Sequence, residues 1–395
     1  MSDKLINEIL KIENEIINNR KSLHMIPEIG FDLYKTSCFI ENKLKEYGYD
    51  YKVVAKTGII CRIGNKKGKK LLLRSDMDGL IIKEDNDLDF KSRNSNMHAC
   101  GHDMHMAILL GVCKILKEVE TKINGEIIFL FQPAEEILAG AKKVIKEDHL
   151  SNIDNALMIH VSSGTNISTN KIIIPSYGVV APSCDYFNIE IYGQSSHSGN
   201  LANSIDPIIV GSNIVMSLNS IISKEINMFD KAQIAVCIFN SGENINQVPE
   251  YASIKGTFRC FNKDLRDKIL KRIEDICINI GKAFNANVKI SYLNSCPEFK
   301  IDKDFREFIN NVLMEKFKED IIPIEEIDYS VSGSEDFAYI SDIIPSCMIN
   351  LSSGSISEGY NYPLHNPKVK FNMHSLSRGV HIFCLISLKY FGIDF

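Results

Sequence analysis

Met97–Val119 reads MHACGHDMHMAILLGVCKILKEV, a cluster of thiol and imidazole groups that runs straight into a helical pattern. Met104, Ala107, Ile108, Val112, Ile115, Leu116 and Val119 recur near a 3.6-residue period, which predicts a helix from Met104 onward. Cys100 and His102 stand at i and i+2, positions that do not share a helix face. If both bind one metal, they lie in the turn just before that helix, where side chains converge on a ligand.

Three apolar runs around this stretch end in the same kind of chemistry. KKLLLR (Lys69–Arg74) leads into Asp76-Met77-Asp78, EIIFLFQ (Glu126–Gln132) is cut by Pro133 and followed by Glu135-Glu136, and NALMIH (Asn155–His160) ends in His160. In open α/β sheets ligands bind outside the carboxyl ends of the strands. Buried strands that run into carboxylates or a histidine therefore predict an α/β fold with its site at that edge.

Composition narrows the function classes. The chain has 395 residues, 45% of them hydrophobic, enough for two domains or for one with an insertion. Its formal net charge of −5 gives no support to nucleic-acid binding. No apolar window is long enough for a membrane span, and MSDKLINEILKIENEI lacks the apolar core of a secretory signal. The 11 cysteines are odd in number and have no CxxC pairing, which predicts unpaired thiols in a reducing cytoplasm.

The first part of the chain predicts a helix over 3–24, strands near 51–63 and 69–74, the helix after His102, and strands over 126–132 and 155–160. The pattern changes near Pro182. Residues 185–193 alternate strictly, with Phe187, Ile189 and Ile191 on one face. A helix over about 205–224, strands at 232–240 and 251–262, a helix over 264–285 and a strand at 287–293 complete a β-α-β-β-α-β order, the ferredoxin-like arrangement. The expected organisation is a catalytic domain in two parts, 1–183 and 297–395, with a lid domain over 184–296. The second part predicts a helix over 302–318, a strand over 347–351, His365 in a loop and a closing helix over 373–391.

In sequence order the motifs are LHMIPEIGF, LLLRSDMDG, MHACGHDMH, FLFQPAEE followed by AGA, MIHV, YGQSSHSG, NQVPEYASIKGTFR, SGSEDFAYI and PLHNP. Together they resemble the dinuclear-metal N-acyl-amino-acid amidohydrolases, which include bacterial aminoacylases, hippurate hydrolases and plant indoleacetyl-amino-acid hydrolases. The resemblance implies a zinc-peptidase-like catalytic domain with an inserted ferredoxin-like lid, and a homodimer formed through that lid. It implies two divalent metal ions per chain bridged by Cys100, with His102 and His160 completing one site and Glu136 and His365 the other. Glu135 would be the general base, and Asp78 would orient a ligand. His197, Asn246 and Arg259 of the lid would contact the substrate, Arg259 gripping its carboxylate with a planar fork.

The chemistry agrees with these expectations. A thiolate with imidazoles suits Zn²⁺, Mn²⁺, Co²⁺ or Ni²⁺ and not Mg²⁺ or Ca²⁺. Of two adjacent glutamates, one can bind metal while the other takes a proton from water and hands it to the leaving amine. The expected reaction is hydrolysis of a small N-acyl amino acid. A dipeptidase or carboxypeptidase with the same chemistry is the alternative, and a non-catalytic metal-binding relative is a third reading that an intact Glu135 argues against. Ile81-Ile82, Ser195-Ser196-His197 and Leu201-Ala202 depart from the common pattern near the substrate side.

The other cysteines, and His24, His149, His374 and His381, read as structural. His98 and His105 read as packing or supporting neighbours of the metal loop. Glu335 and Asp336 read as caps of a helix after Ser334, whereas the resemblance puts them in the wall of the active site.

Overall fold

A computed structural model describes residues 2–65, 67–324 and 333–394. The first elements are α1 (Ser2–His24), α2 (Tyr34–Glu46), β1 (Tyr51–Val54), β2 (Gly58–Gly64), β3 (Lys69–Asp76), α3 (His102–Lys117), β4 (Gly125–Gln132), α4 (Gly140–Lys146), β5 (Asn155–Ser162), β6 (Ile172–Ile173) and β7 (Gly178–Ala181). They are followed by β8 (Ser183–Tyr192), β9 (Ser196–His197), α5 (Pro207–Ser220), β10 (Ala232–Ser241), β11 (Gln247–Val248), β12 (Tyr251–Cys260), α6 (Lys263–Ala283) and β13 (Asn287–Cys296). The last are β14 (Phe299–Ile301), α7 (Lys303–Phe317), α8 (Ala338–Ser341), β15 (Ser346–Ser352) and α9 (His374–Tyr390). The chain forms two compact units, one from the described residues up to 180, from 300 to 324 and from 335 onward, the other from Ala181–Phe299 together with Gly333 and Ser334.

The first unit is built on a seven-stranded sheet in the order β1-β2-β4-β3-β5-β15-β6. β4, β3, β5 and β15 run parallel, and β1, β2 and β6 are antiparallel to their neighbours. The three runs that end in carboxylates or histidine are thus adjacent, with Asp76 beside Gln132 at one edge of the sheet. α1, α3 and α9 pack together, and α3 is buried from His102 to Leu116 apart from Lys114. A helix apolar all round belongs in the interior.

Two local readings change. The single strand expected over 51–63 is a hairpin, because Ala55 and Lys56 take positive φ (47° and 78°) and turn the chain. α2 escapes a periodicity search because polar Thr36 and Ser37 share its buried face with Ile40 and Leu44. The first turn of α2 is capped from outside, by a Glu28 carboxylate that accepts from Thr36 N at 2.9 Å.

The second unit has a four-stranded antiparallel sheet in the order β10-β12-β8-β13, crossed by α5 and α6. With the chain order β8-α5-β10-β12-α6-β13, this is the ferredoxin-like arrangement. Phe187, Ile189 and Ile191 face Ile214 and Leu218 of α5 and Ile269 and Ile273 of α6 in its core. Among the described residues, no helix is long and apolar enough to cross a membrane.

Candidate metal centre

Gly101 carries the site's first turn. Its φ of +84° is a conformation that L side chains rarely adopt, and a Cβ there would lie 2.5 Å from Val161 Cγ2. Glycine therefore lets Cys100 and His102 turn toward the same point before α3 begins at His102. Glu135 and Glu136 leave β4 through another strained turn, with Ala134 and Leu138 at φ of 60° and 54°. His365 also has positive φ (64°), and its N–H donates to Ala99 O at 2.9 Å. Residues held in sparsely populated backbone regions persist only where the surroundings over-determine them, and they gather at functional sites.

These turns converge. Ligand atoms of Cys100, His102 and His160 lie within 4.8 Å of one another, and so do those of Cys100, Glu136 and His365. Cys100 is common to both triplets. Its Sγ is 3.6 Å from His160 Nε2, and His365 Nε2 is 3.7 Å from a Glu136 oxygen. His102 Nε2 and Glu136 Oε1 are buried without a hydrogen-bond partner and face each other across 3.7 Å. Leaving buried polar atoms unmatched is costly, and cations held at the two triplets would match one each. One thiol, three imidazoles and a carboxylate are a donor set for borderline divalent metals. The residues fit the group.

Charge on the site points the same way. Burial, and then the Glu136 carboxylate, push the Cys100 thiol up, so a thiolate there needs a cation beside it. Burial raises Glu136 to about 7. Burial, and after it Glu335 and Glu136, raise Glu135 well above the usual carboxylate range. Glu135 lies within reach of the centre, 3.9 Å from His102 Nε2.

Supporting residues hold this geometry. Asp78 accepts from the backbone N–H of Glu135 (3.1 Å) and of Glu136 (3.2 Å) with its two carboxylate oxygens. Its carbonyl oxygen accepts from His102 Nδ1 at 2.8 Å, which leaves Nε2 for a ligand. His105 takes an acceptor role at Nε2, where Val161 N–H donates at 2.9 Å, and so donates from Nδ1 to Asp76 at 2.7 Å. It thereby ties β5 next to His160 to the end of β3.

Asp336 is not a surface cap. It is fully buried and accepts from Arg74 Nη2 (2.9 Å), Gln132 Nε2 (2.7 Å) and Ala141 N (2.9 Å). Glu335 does cap locally, accepting from Phe337 N at 3.0 Å, and it also pairs with Arg74 at 3.0 Å. Ser332, the first residue of SGSEDFAYI, lies outside the described residues. Arg74 is the hub the sequence reading passed over. Buried on β3, it also pairs with Asp76 at 2.9 Å and donates to Gln132 at 3.1 Å. A lone arginine ending an apolar strand was the available signal.

The three lid candidates belong to the second unit. His197 on β9 stands opposite Gln247 of β11, and Ser198 N donates to Asn246 O at 2.9 Å, so His197 and Asn246 are exposed neighbours. Arg259 sits apart from them on β12, opposite Cys184 of β8, and donates to Ser334 Oγ at 2.8 Å.

Comparison with known proteins places this geometry in a family. The model of the Peptidase family M20/M25/M40 matches residues 72–389. The chain is 32% identical to the hippurate hydrolase of Campylobacter jejuni over 392 residues, covering 98% of this chain and 99% of that protein. It is 32% identical to the N-acetyl-L-cysteine deacetylase of Bacillus subtilis over 337 residues, 85% of this chain and 79% of that one. A solved Bacillus subtilis structure, described as a dinuclear metal binding peptidase from the M20 family, superposes with a TM-score of 0.78 at 25% identity, covering 97% of this chain and 99% of that one.

Proposed function

The chain belongs to the peptidase family M20/M25/M40, and from that premise we propose that it is a metal-dependent amidohydrolase that hydrolyses the amide bond of an N-acyl amino acid. The products are a carboxylic acid and a free amino acid. The observation that carries this reading is the pair of ligand triplets joined at Cys100, with the Glu135 carboxyl group 3.9 Å from His102 Nε2 beside them.

In this reading two divalent ions (Mn, Zn, Co or Ni) would be held by His102 and His160 at one position and by Glu136 and His365 at the other, with Cys100 common to both. Bound there, such ions supply Lewis-acid polarisation of the scissile carbonyl and lower the pKa of the attacking water. Glu135 removes a proton from the water and returns it to the leaving nitrogen. Asp78 holds the backbone of both glutamates and the tautomer of His102. Arg259 binds the substrate's carboxylate, and His197 and Asn246 contact the rest of the acyl-amino group.

The finer parts of the reading have their own support. Exposed Ile208, Ile209 and Met216 of α5 and Ile238 and Phe239 of β10 give the second unit an apolar outer face suited to a homodimer. Eleven free cysteines suit a cytoplasmic protein.

The test combines metal analysis with acetyl-, benzoyl- and dipeptide substrates. Turnover of acylated amino acids is expected, abolished by a chelator and restored by a divalent transition metal. Turnover that survives complete metal removal, or preference for dipeptides, would overturn the assignment.

A further inference from the structure

The LHMIPEIGF run contributes no ligand to the centre, yet its polar groups are buried and engaged. His24 is almost wholly buried in the last turn of α1. Its Nδ1 lies 2.8 Å from Asp103 Oδ2 and its Nε2 3.1 Å from Glu84 Oε1. Arg20 Nε donates to the same Asp103 oxygen at 2.7 Å. Glu84 also accepts from Ser92 N at 2.7 Å and from Asn86 Nδ2 at 3.3 Å. Carboxylates only accept, so an imidazole facing one on each side carries hydrogen on both nitrogens. Two cations, Arg20 and His24, thus face two anions, Asp103 and Glu84, inside the unit. The rings of Phe90 and His98 pack against His24 at 5.4 and 6.5 Å.

This cluster reaches three of the stretches that carry a candidate ligand or its support. Asp103 directly follows His102. Beside Glu84, Asp85 N donates to Pro367 O at 2.9 Å and Asn86 Nδ2 to Val369 O at 2.8 Å, just past His365. Leu80 and Met97 exchange two backbone bonds of 2.9 Å, closing the stretch between Asp78 and Cys100 into a loop. The same motif grips both ends of that loop. Gly79 N donates to Glu28 O at 2.7 Å, and Asn94 Nδ2 donates to Pro27 O at 2.8 Å.

We propose that His24 and Glu84 form a latch that positions three segments at once: the loop from Asp78 to Cys100, the start of α3 with His102, and the stretch carrying His365. The proposal rests on the reading of Cys100, His102 and His365 as ligands. Both latch residues are positioning residues, acting through Asp103, Asp85 and Asn86. Buried ion pairs are a poor way to gain stability, since apolar side chains of similar size often do as well. Fixing the relative place of three chain segments is a use that apolar packing serves less well.

The test uses Glu84→Gln, His24→Gln and the double variant in the full-length protein. Glu84→Gln is nearly isosteric and still accepts from His24, but its amide turns against the Ser92 N–H. Equilibrium binding of Co²⁺ to the apo protein, hydrogen exchange of residues 80–97 and 364–370, and kcat and KM are the readouts. Each single variant should bind Co²⁺ roughly tenfold or more weakly and exchange faster in those segments, with β8 unchanged. The double variant should lose no more than the worse single, because the pair acts as one unit. Activity lost at limiting metal should return at saturating metal through kcat. Wild-type affinity and exchange in a folded Glu84→Gln, or losses that simply add, would overturn the latch. If His24→Gln fails to fold, Glu84→Gln decides alone. Unchanged metal binding in Cys100→Ser would sink the ligand reading instead, and exchange in the apo protein would still decide the latch.

Discussion

Strand β8 of the second unit and strand β3 of the first are both buried, but they bury different chemistry. β8 buries one charge near its start, Asp185 paired with Arg266 at 2.7 Å, and then sets Phe187, Ile189 and Ile191 against two helices, with its opposite face alternating with them. After Lys69 and Lys70, β3 buries Leu71, Leu72 and Leu73 and then Arg74, Ser75 and Asp76 in succession. The second kind of burial is stable only because each charge meets a partner placed by a distant part of the chain. Arg74 alone joins its own strand, the end of β4 and the stretch at Glu335-Asp336. Apolar alternation specifies a sheet and its helices. Paired burial of charge holds strand ends and turns at the spacing a metal centre needs.

The largest effect should come from the charged region. Glu135→Gln should lose about 10²- to 10⁴-fold in kcat while keeping bound metal, because only proton transfer is removed. Glu136→Gln should lose metal from one site. Metal content and turnover measured together on both variants check this, and exchanged phenotypes would reverse the roles of the two residues.

A direct contrast of the two cores follows. Arg74→Met leaves Asp76, Glu335 and Asp336 without their cation and should cost about 3–5 kcal/mol. That deficit should shrink as pH falls, since protonation discharges the stranded carboxylates. Ile189→Ala in the second unit should cost about 2–5 kcal/mol through a cavity, with no dependence on pH. Denaturant unfolding of both variants at several pH values separates the two kinds of burial. A pH-independent loss in Arg74→Met would mean that the arginine acts as packing and not as charge.

A smaller effect is expected at Arg259. Loss of a charged hydrogen-bonded contact is worth about 1.5–3 kcal/mol. Arg259→Ala should therefore lower kcat/KM on an N-acyl amino acid roughly ten- to a hundred-fold, and much less on the matching amide. Equal losses on acid and amide would return Arg259 to a structural role, consistent with its bond to Ser334.

An effect confined to acid stability concerns His381 on α9, whose ring packs edge-on to Phe317 at 5.0 Å. Burial, then Arg378 and Lys316, hold it down to about 4 from an ordinary 6.5. Unfolding therefore takes up a proton between those values. The stability this residue contributes is complete above pH 6.5 and is lost as pH falls toward 4, at no more than about 1.4 kcal/mol per pH unit. His381→Leu should flatten that part of the stability profile, and an unchanged acid slope would show that other groups set it.

The α/β class and the ferredoxin-like order of the second unit were already legible in the order of residues, which also marked the candidate ligands. Strand alternation, helical period and the ends of apolar runs are local, and local patterns survive in one dimension. Cys100, His102, Glu135, Glu136 and His160 were legible because each stands in or just past such an end. His365 was legible only through its motif, since no nearby pattern marks it. Tertiary structure alone decided the partners of the buried charges. Asp336 read as a helix cap and His24 as an isolated histidine, because Arg74 lies 262 residues from Asp336 and Asp103 79 residues from His24. α2 was missed for a related reason: its cap is Glu28, outside the helix, and its buried face includes Thr36 and Ser37. A charge declares its function only when its counter-charge is known, and the fold brings the two together.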